Sequence, residues 1–306
     1  MQVVFMLPPQ VHLLDLAGPA HIFYEAACYG APIQLVYSSI YTGESAAVSS
    51  AALSFRELVP FDQLTLRAGD LVFVPGLDSA LLFDPHFNSL SAPFQQWLYH
   101  QHQQGITVCA VCTGAFLLAA AGLLDHKNCT THWKYTSAFS QRYPAARLLT
   151  NRLFVEEAGI YTSAGVASGI DLALYLTEQL WGPQFAAKIA KEVVIYFRRT
   201  SEDEQLNIFT QYRNHLDQRI HEVQDILSRT PSQRHTLAAL AQKVHVSPRN
   251  LTRLFRKTTG ITIGAYQDQL RTTHARQLLG EGHTLQAAAQ QCGFKSINSL
   301  RRLLQP

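Results

Sequence analysis

From Val246 to Lys257 the chain reads VSPRNLTRLFRK, and this pattern predicts a short amphipathic helix. Ser247 is a preferred N-cap residue, and Pro248 suits the first position of a helix. Apolar residues at helical spacing would face a core, namely Leu251, Leu254 and Phe255. The outer face keeps cationic and amide side chains, which are Arg249, Asn250, Arg253, Arg256 and Lys257.

This helix belongs to a unit that occurs twice. Residues 236–242, TLAALAQ, return as TLQAAAQ at residues 284–290, and after one inserted residue Ser247 matches Ser296 and Arg253 matches Arg302. Each copy predicts a Thr-capped helix, a tight turn and a second helix, which is a helix-turn-helix. The helix expected between the copies, at residues 263–279, would be about 25 Å long. It could place two recognition helices in successive major grooves, about 34 Å apart.

The outer faces of the two second helices carry groups that suit DNA. Arg and Asn can form paired hydrogen bonds with a purine, whereas Lys and Ser suit phosphates. A single exposed cation can be plain solvated surface, but repetition on two faces favours double-stranded DNA as the partner. The predicted contacts are Ser247, Arg249, Asn250, Arg253, Arg256, Lys257, Ser296, Asn298, Ser299, Arg301 and Arg302.

Charge is distributed unevenly along the 306 residues. Residues 1–200 carry 11 Lys and Arg against 14 Asp and Glu, whereas residues 201–306 carry 14 against 8. The second part is therefore basic, with a net charge of +6 from these counts, and suits a polyanion.

Residues 225–304 resemble the AraC/XylS family of bacterial regulators. The likeness is carried by residues 240–257 and by Gly260, Tyr266, Leu270, Arg271, Ala275, Arg276 and the Cys292-Gly293-Phe294 turn. It implies a sequence-specific transcriptional regulator, with RNA polymerase as a further candidate partner. In that family a further short helix usually follows, opening with Gly-x-x-Pro-x-x-Tyr, whereas this sequence stops at Gln305-Pro306. We therefore expect the first recognition helix to supply most of the specificity.

The first part of the chain has a different period. Apolar runs of strand length, at residues 3–7, 33–37, 71–74, 106–111 and 160–162, alternate with helical patterns, among them residues 19–28, 92–103, 169–180 and 184–197. This order predicts an α/β fold with a doubly wound, mostly parallel sheet. The expected organisation is a sheet domain at 1–197, a polar linker at 198–207 and an all-α tandem helix-turn-helix domain at 208–306.

Residues 108–115, VCAVCTGA, predict a strand that runs directly into a helix, with Cys112 at the corner. The helix N-terminus is expected to favour the thiolate, as at the nucleophile elbow of hydrolases. Cys109 and Cys112 have the spacing of a redox pair, but Cys109 would lie inside the strand, which disfavours that interpretation. The uncharged stretch 106–124 changes period at this corner, so we do not expect it to span a membrane.

Residues 1–195 resemble the class I glutamine amidotransferase-like (PfpI-like) superfamily, in particular the sensor domains fused to AraC-type domains. The likeness is carried by residues 14–19 (LDLAGP), 73–76 (FVPG), 112–115 (CTGA), 131–133 (THW) and 162–171 (TSAGVASGID). The resemblance implies a domain that binds a small effector, which could be amino-acid-like or a quaternary amine, and a homodimer formed through this domain. Enzymes of the superfamily hold an acid just after the Gly-Pro of the first helix, where this chain has His21, and no acid adjoins His132 in sequence. We therefore expect no enzyme. The alternative is a cysteine-dependent amidase or glyoxalase-like enzyme with an accessory DNA-binding domain, with Cys112 as nucleophile and His132 as partner.

The effector is expected at the carboxyl ends of the strands, where open α/β sheets bind ligands. The predicted pocket residues are Gly76, Cys112, Thr113, His132 and Trp133. Trp133 could offer a cation–π face, or it could be an ordinary core residue. No cofactor or metal ion is expected. Five cysteines and the lack of a basic leader favour a cytoplasmic protein.

Overall fold

The computed structural model describes residues 1–195, 199–201, 205, 208–280 and 282–304. The chain divides into two compact units, Met1–Gln205 and Leu206–Pro306. We call them the sheet unit and the helical unit and describe each by itself. The predicted linker at 198–207 lies largely outside the described residues, so the boundaries at 197 and 208 stay predictions.

The sheet unit is built on a seven-stranded sheet with the order β10-β11-β7-β6-β1-β2-β5. All its neighbouring strands are parallel except β10 and β11, which pair antiparallel. Two small two-stranded sheets, β3-β4 and β8-β9, lie outside it. The strands are β1 Gln2–Leu7, β2 Gln34–Ser39, β3 Ala46–Val48, β4 Ser54–Arg56, β5 Val59–Pro60, β6 Leu71–Val74, β7 Thr107–Val111, β8 Asn128–Cys129, β9 Arg147–Leu148, β10 Phe154–Glu157 and β11 Ile160–Ser163.

Helices cover both faces of this sheet. They are α1 Leu13–Cys28, α2 Ser79–Leu82, α3 Pro85–Gln103, α4 Gly114–Ala120, α5 Thr136–Arg142, α6 Ala167–Trp181 and α7 Pro183–Glu192. Alternate residues of β1 enter different cores: Phe5 packs with α1, α6 and α7, whereas Met6 packs with α3, α4 and α5. Because β1 is buried on both faces, it reads as a continuous apolar run. The predicted doubly wound, mostly parallel sheet is confirmed.

Two boundaries differ from the sequence prediction. The helix expected to begin at Pro19 begins at Leu13, so Pro19 lies inside α1. Proline is most favourable in the first turn of a helix, which made Gly18-Pro19 resemble a start. The helix expected at 184–197 runs over Pro183–Glu192, and residues 196–197 of that prediction lie outside the described ones.

The uncharged stretch 106–124 is not one helix. It forms β7 and then α4, with Cys112 and Thr113 between them, as its change of period predicts. Within the described ranges, no helix is long and apolar enough to cross a membrane.

Within the described residues of the helical unit, all regular elements are helices, joined by turns. They are α8 Ile208–Tyr212, α9 Gln218–Arg229, α10 Leu237–Lys243, α11 Pro248–Thr259, α12 Ile263–Gly280, α13 Leu285–Gln291 and α14 Ile297–Leu304. Thr236 and Thr284 cap α10 and α13 in the same way, because each hydroxyl accepts a hydrogen bond from the N–H three residues later, at 3.2 Å. The repeat seen in the sequence is therefore a repeat of structure.

The helical unit has two cores, one for each helix-turn-helix. Phe255 and Tyr266 lie in the first core, with the apolar faces of α8, α9 and α10. Ala275, Ala288 and Leu300 lie in the second. The long helix α12 contributes to both cores and so joins the two copies.

Candidate functional site

The cysteine elbow has a strained backbone. Cys112 lies between β7 and α4 with φ +59°, in the left-handed region that side-chain-bearing residues seldom adopt. Its N–H donates to the carbonyl of Ser163 at 3.0 Å, and its carbonyl accepts from Thr131 Oγ1 at 3.0 Å. These two bonds hold Cys112 in this conformation. Strained positions of this kind cluster at functional sites.

Close backbone approach shapes the walls around the cysteine. A methyl group at Gly76 would lie 2.4 Å from Asp15 Oδ2 and 2.9 Å from Cys112 Cβ. One at Gly165 would lie 2.7 Å from Cys112 Sγ. Thr113 is buried, and its hydroxyl bonds both the N–H and the carbonyl of Leu77 at 3.0 Å. Gly76, Cys112 and Thr113, all predicted from the sequence, therefore meet at the ends of β6 and β7.

An acid lies beside the cysteine, contrary to the sequence prediction. Asp15, in the first turn of α1, is fully buried, and one of its oxygen atoms, Oδ1, accepts from the N–H of Val166 at 2.7 Å. Val166 is held at φ +49°, which is exceptional for a β-branched residue. The other oxygen, Oδ2, makes no hydrogen bond to any described residue, although His12 Nδ1 lies 3.3 Å away. Three side chains, those of His12, Asp15 and Cys112, each have one potential metal-ligand atom here, and these atoms lie within 4.8 Å of one another.

The sequence prediction for the acid used the wrong position. His21 is 59% exposed and pairs with Glu25 on the surface of α1, so it is not one of the buried residues beside Cys112. Asp15 lies in the stretch LDLAGP at residues 14–19, before the Gly-Pro and not after it. Extending the helix to Leu13 would have identified Asp15, because that places it in the first turn next to the elbow.

The predicted activation of the thiol is also wrong. Burial raises the pKa of the Cys112 thiol well above its usual value, and the negative charge of Asp15 raises it further. The hydrogen bond from the backbone of Thr113 lowers the pKa but does not outweigh burial. Cys112 is therefore a neutral thiol at neutral pH when nothing is bound beside it. Cys109 is a second buried free thiol and lies inside β7, as expected for a cysteine that does not form a redox pair with Cys112.

His132 and Trp133 lie at the rim of this region. His132 caps a short 3-10 helix, and its Nδ1 accepts from the N–H of Lys134 at 3.3 Å. Burial lowers the pKa of His132, which keeps the ring neutral. Trp133 is 49% exposed and lies with its ring centroid 5.5 Å from that of His132. The interpretation of Trp133 as a core residue is therefore wrong.

The first recognition helix has the predicted faces. Ser247 Oγ accepts from the N–H of Asn250 at 3.3 Å at its start, and Gly260 ends it in the left-handed conformation. Leu251 and Phe255 are fully buried. A shallow groove on the outer face is lined by Arg249, Thr252, Arg253, Arg256 and Lys257. Thr252 was not among the residues predicted from the sequence, although its hydroxyl is of the same kind as those of the predicted serines.

Within this helix a polar contact orders one of the predicted base-reading groups. Arg253 Nη2 donates to Asn250 Oδ1 at 3.2 Å. Both side chains thus lie on one face of α11, as the three-residue spacing requires.

The second recognition helix, α14, repeats this design. The Ser296 hydroxyl accepts from the N–H of Ser299 at 3.2 Å, and Leu300 is buried. Asn298, Arg301 and Arg302 are exposed, as predicted. The turn before it depends on Gly293, where an added methyl group would lie 2.2 Å from the backbone oxygen of Ser232.

Each of the two units matches a known protein family. The model of the DJ-1/PfpI family matches residues 1–179, and that of a helix-turn-helix domain matches residues 240–305. The HTH-type transcriptional regulator CdhR of Pseudomonas aeruginosa is 33% identical over 239 residues, which cover 78% of this chain and 69% of CdhR. The regulator GbdR of the same organism is 33% identical over 202 residues, 65% of this chain and 54% of GbdR. The chain thus spans about half the length of GbdR.

Enzymes and solved structures are also among the similar proteins. Isonitrile hydratase of Pseudomonas putida is 30% identical over 182 residues, which cover 60% of this chain and 73% of the enzyme. The crystal structure of an AraC family transcriptional regulator from Pseudomonas putida has a TM-score of 0.52 at 20% identity and covers 63% of this chain and 98% of that one. At this identity the structural likeness shows the fold alone.

The family match covers more than half of the chain, and an AraC-type helix-turn-helix follows it. The resemblance noted from the sequence is confirmed. The chain therefore belongs to the DJ-1/PfpI family, joined to an AraC-type domain, and is a DNA-binding transcriptional regulator.

Proposed function

We propose that the sheet unit binds a small metabolite at the cysteine elbow and that its occupancy changes the affinity of the helical unit for DNA. The observation that carries this proposal is the Oδ2 atom of Asp15, which is buried beside Cys112 without a hydrogen bond to any described residue. His12 Nδ1 lies 3.3 Å from this oxygen without a well-aligned hydrogen bond, so a ligand that donates a hydrogen bond or carries a positive charge would recover free energy lost on burial of the carboxylate. The regulatory effect needs only that the effector prefer one of two states.

The surroundings favour a cationic effector. Asp15 supplies a negative charge, and the exposed ring of Trp133 offers a cation–π face at the rim. Amino-acid-like metabolites and quaternary amines carry a suitable cation. We further propose that Gly76, Thr113 and His132 line the same pocket, and that the regulator acts as a homodimer.

A thermal-shift screen of the full-length protein against amines and amino acids tests the effector proposal. A ligand that binds only the folded state raises the melting temperature. We expect Asp15→Asn to abolish the shift and His21→Gln, on the exposed face of the same helix, to keep it. A shift that survives Asp15→Asn would place the effector elsewhere. The active compound is then added to a DNA-binding assay, where unchanged affinity would contradict the regulatory part.

A second function is favoured by one contact. The carboxylate of Asp15 beside Cys112 could support cysteine chemistry, and isonitrile hydratase is among the relatives. The raised pKa of the Cys112 thiol works against a nucleophilic role. We therefore propose that the chain is not an enzyme.

Cys112→Ser separates the two functions. We expect this variant to regulate its promoter in response to the effector, because a serine can keep the shape of the elbow. Loss of the response together with turnover of an isonitrile by the unmodified protein, but not by Cys112→Ser, would support the enzyme.

A further inference from the structure

The group formed by His12, Asp15 and Cys112 combines three different metal-binding side chains. One nitrogen, one carboxylate oxygen and one sulfur lie within 4.8 Å of one another. They come from the start of α1 and from the elbow after β7, so the fold, not a local sequence motif, brings them together. We propose that these three residues form a binding site for a divalent cation of borderline softness, of which Zn²⁺ is the expected ion.

The distances suit a tetrahedral ion. With metal–ligand bonds of about 2.0–2.3 Å, donor atoms of a tetrahedral zinc site lie roughly 3.3–3.8 Å apart. His12 Nδ1 and Asp15 Oδ2 are already 3.3 Å apart. The Cys112 sulfur lies no more than 4.8 Å from the other two donor atoms. It would need to move toward them by at most about 1 Å to reach tetrahedral spacing.

The oxygen that would bind the ion is the one without another role. Asp15 Oδ1 is occupied by the N–H of Val166, whereas Oδ2 is buried and makes no hydrogen bond to any described residue. The first bond also fixes the orientation of the carboxylate, which is the usual task of groups behind a metal ligand. Oδ2 is thereby aimed at His12 and Cys112.

The donor set selects the kind of ion. Thiolate and imidazole suit Zn²⁺ and similar ions, whereas Mg²⁺ and Ca²⁺ prefer oxygen ligands alone. Three protein ligands leave a fourth position for water or a small molecule, as in zinc sites that are not purely structural. The His12 side chain is 32% exposed and gives the ion access from the surface.

A bound cation would also change the state of the thiol. A metal ion stabilises the coordinating thiolate and so reverses the effect of burial and of Asp15. Binding therefore releases a proton from Cys112. The ion and a cationic effector would use the same oxygen atom of Asp15, so they are alternative occupants, and the inference does not depend on an effector.

Titration of the full-length, chelator-treated protein with Co²⁺ tests the site. A cysteine ligand gives a thiolate-to-cobalt charge-transfer band in the near ultraviolet. We expect this band at one ion per chain, with Zn²⁺ displacing the cobalt. Cys112→Ser should abolish the band, and His12→Gln should weaken binding roughly tenfold or more, because even groups behind the ligands contribute that much.

Two variants serve as matched controls. Cys28→Ser removes an exposed cysteine and His21→Gln an exposed histidine, both on α1, and neither should change the band. These residues all lie in the sheet unit, so an unchanged circular-dichroism spectrum and an unchanged urea transition of that unit show that each variant folds. Absence of the band in the unmodified protein, or a band that survives Cys112→Ser, would overturn the inference.

Failure of this inference is distinguishable from failure of the proposed function. Cobalt binding without any metabolite-dependent shift would leave the metal site standing and remove the effector. A metabolite shift that depends on Asp15, with no cobalt band, would do the reverse.

Discussion

The two oxygen atoms of Asp15 have unequal surroundings, and much of the chemistry of the pocket follows from this. One oxygen holds the strained Val166 turn, and the other faces His12 and Cys112. The same carboxylate raises the pKa of the Cys112 thiol. A single buried acid therefore supports the local backbone, adds to the effect of burial on the pKa of the Cys112 thiol, and leaves one oxygen atom facing His12 and Cys112.

Asp15→Asn keeps the shape of the side chain and removes its negative charge. Because that charge raises the pKa of the Cys112 thiol, we expect the variant to have a lower pKa, still above the ordinary value because burial remains. A larger thiolate fraction at mildly alkaline pH should make Cys112 react several-fold faster with iodoacetamide. Mass spectrometry of chelator-treated protein measures the rate, with exposed Cys28 as internal reference. An unchanged Cys112 rate would contradict the assigned cause.

Gly76→Ala tests the close packing of the pocket. The added methyl group would meet Asp15 Oδ2 at 2.4 Å and Thr113 Oγ1 at 2.9 Å. Both side chains are held by hydrogen bonds, Asp15 by Val166 and Thr113 by Leu77, so moving them aside has a cost. We expect a loss of about 1–3 kcal/mol in the free energy of unfolding of the sheet unit. Urea denaturation measures it. Unchanged stability would show that the Asp15 and Thr113 side chains can move aside at no cost.

At the scale of elements, burial explains which predictions were correct. Strands β1, β6 and β7 are apolar on both faces and stand out from the sequence, as does the Thr-capped repeat of α10 and α13. The start of α1 was missed because Gly-Pro resembles a helix start. That error concealed Asp15, whose partners at Cys112 and Val166 are far away in the chain and share no sequence pattern with it.

Two glycines that follow helical segments form a matched pair for testing the second copy. Gly260 and Gly293 have similar positive φ values, +80° and +73°, but only Gly293 has a backbone atom in the path of a methyl group. We expect Gly260→Ala to cost about 1 kcal/mol from backbone conformation alone. Gly293→Ala should cost a further 1–3 kcal/mol or so, because the chain around Ser232 must move.

Denaturation of the helical unit in the full-length protein measures both variants. Equal losses would mean that the turn before α14 can shift away from Ser232. A larger loss confined to Gly293→Ala would show that the second copy depends on the loop preceding the first.

At the scale of the whole molecule, the two units differ in net charge. The acidic first part forms the α/β unit with the cysteine elbow, and the basic second part carries the recognition helices. Both were predicted from charge and period, because each unit buries its own core. The meeting of His12, Asp15 and Cys112 could not be predicted, since it depends on distances between side chains that only folding brings together.

The two recognition helices can be compared through equivalent arginines. Arg253 is ordered by Asn250, whereas the equivalent position beside Arg302 is Ser299, whose hydroxyl contacts that of Ser296. If Arg253 reads a base, Arg253→Ala should weaken binding by about 1–3 kcal/mol and relax specificity at one operator position. Arg302→Ala should have a smaller effect. Fluorescence anisotropy with single-base operator variants measures both, and a uniform loss for Arg253→Ala would make it a phosphate contact.

Helix α12 belongs to the cores of both helix-turn-helix units, with Tyr266 in one and Ala275 in the other. Neither recognition helix can therefore change its distance from the other without breaking a core. On DNA, each base pair inserted between two half-sites turns the second by about 35° around the duplex axis. The affinity of the regulator should thus fall less for a single changed base than for an inserted base pair between the half-sites. The spacing of the half-sites is then itself a determinant of specificity.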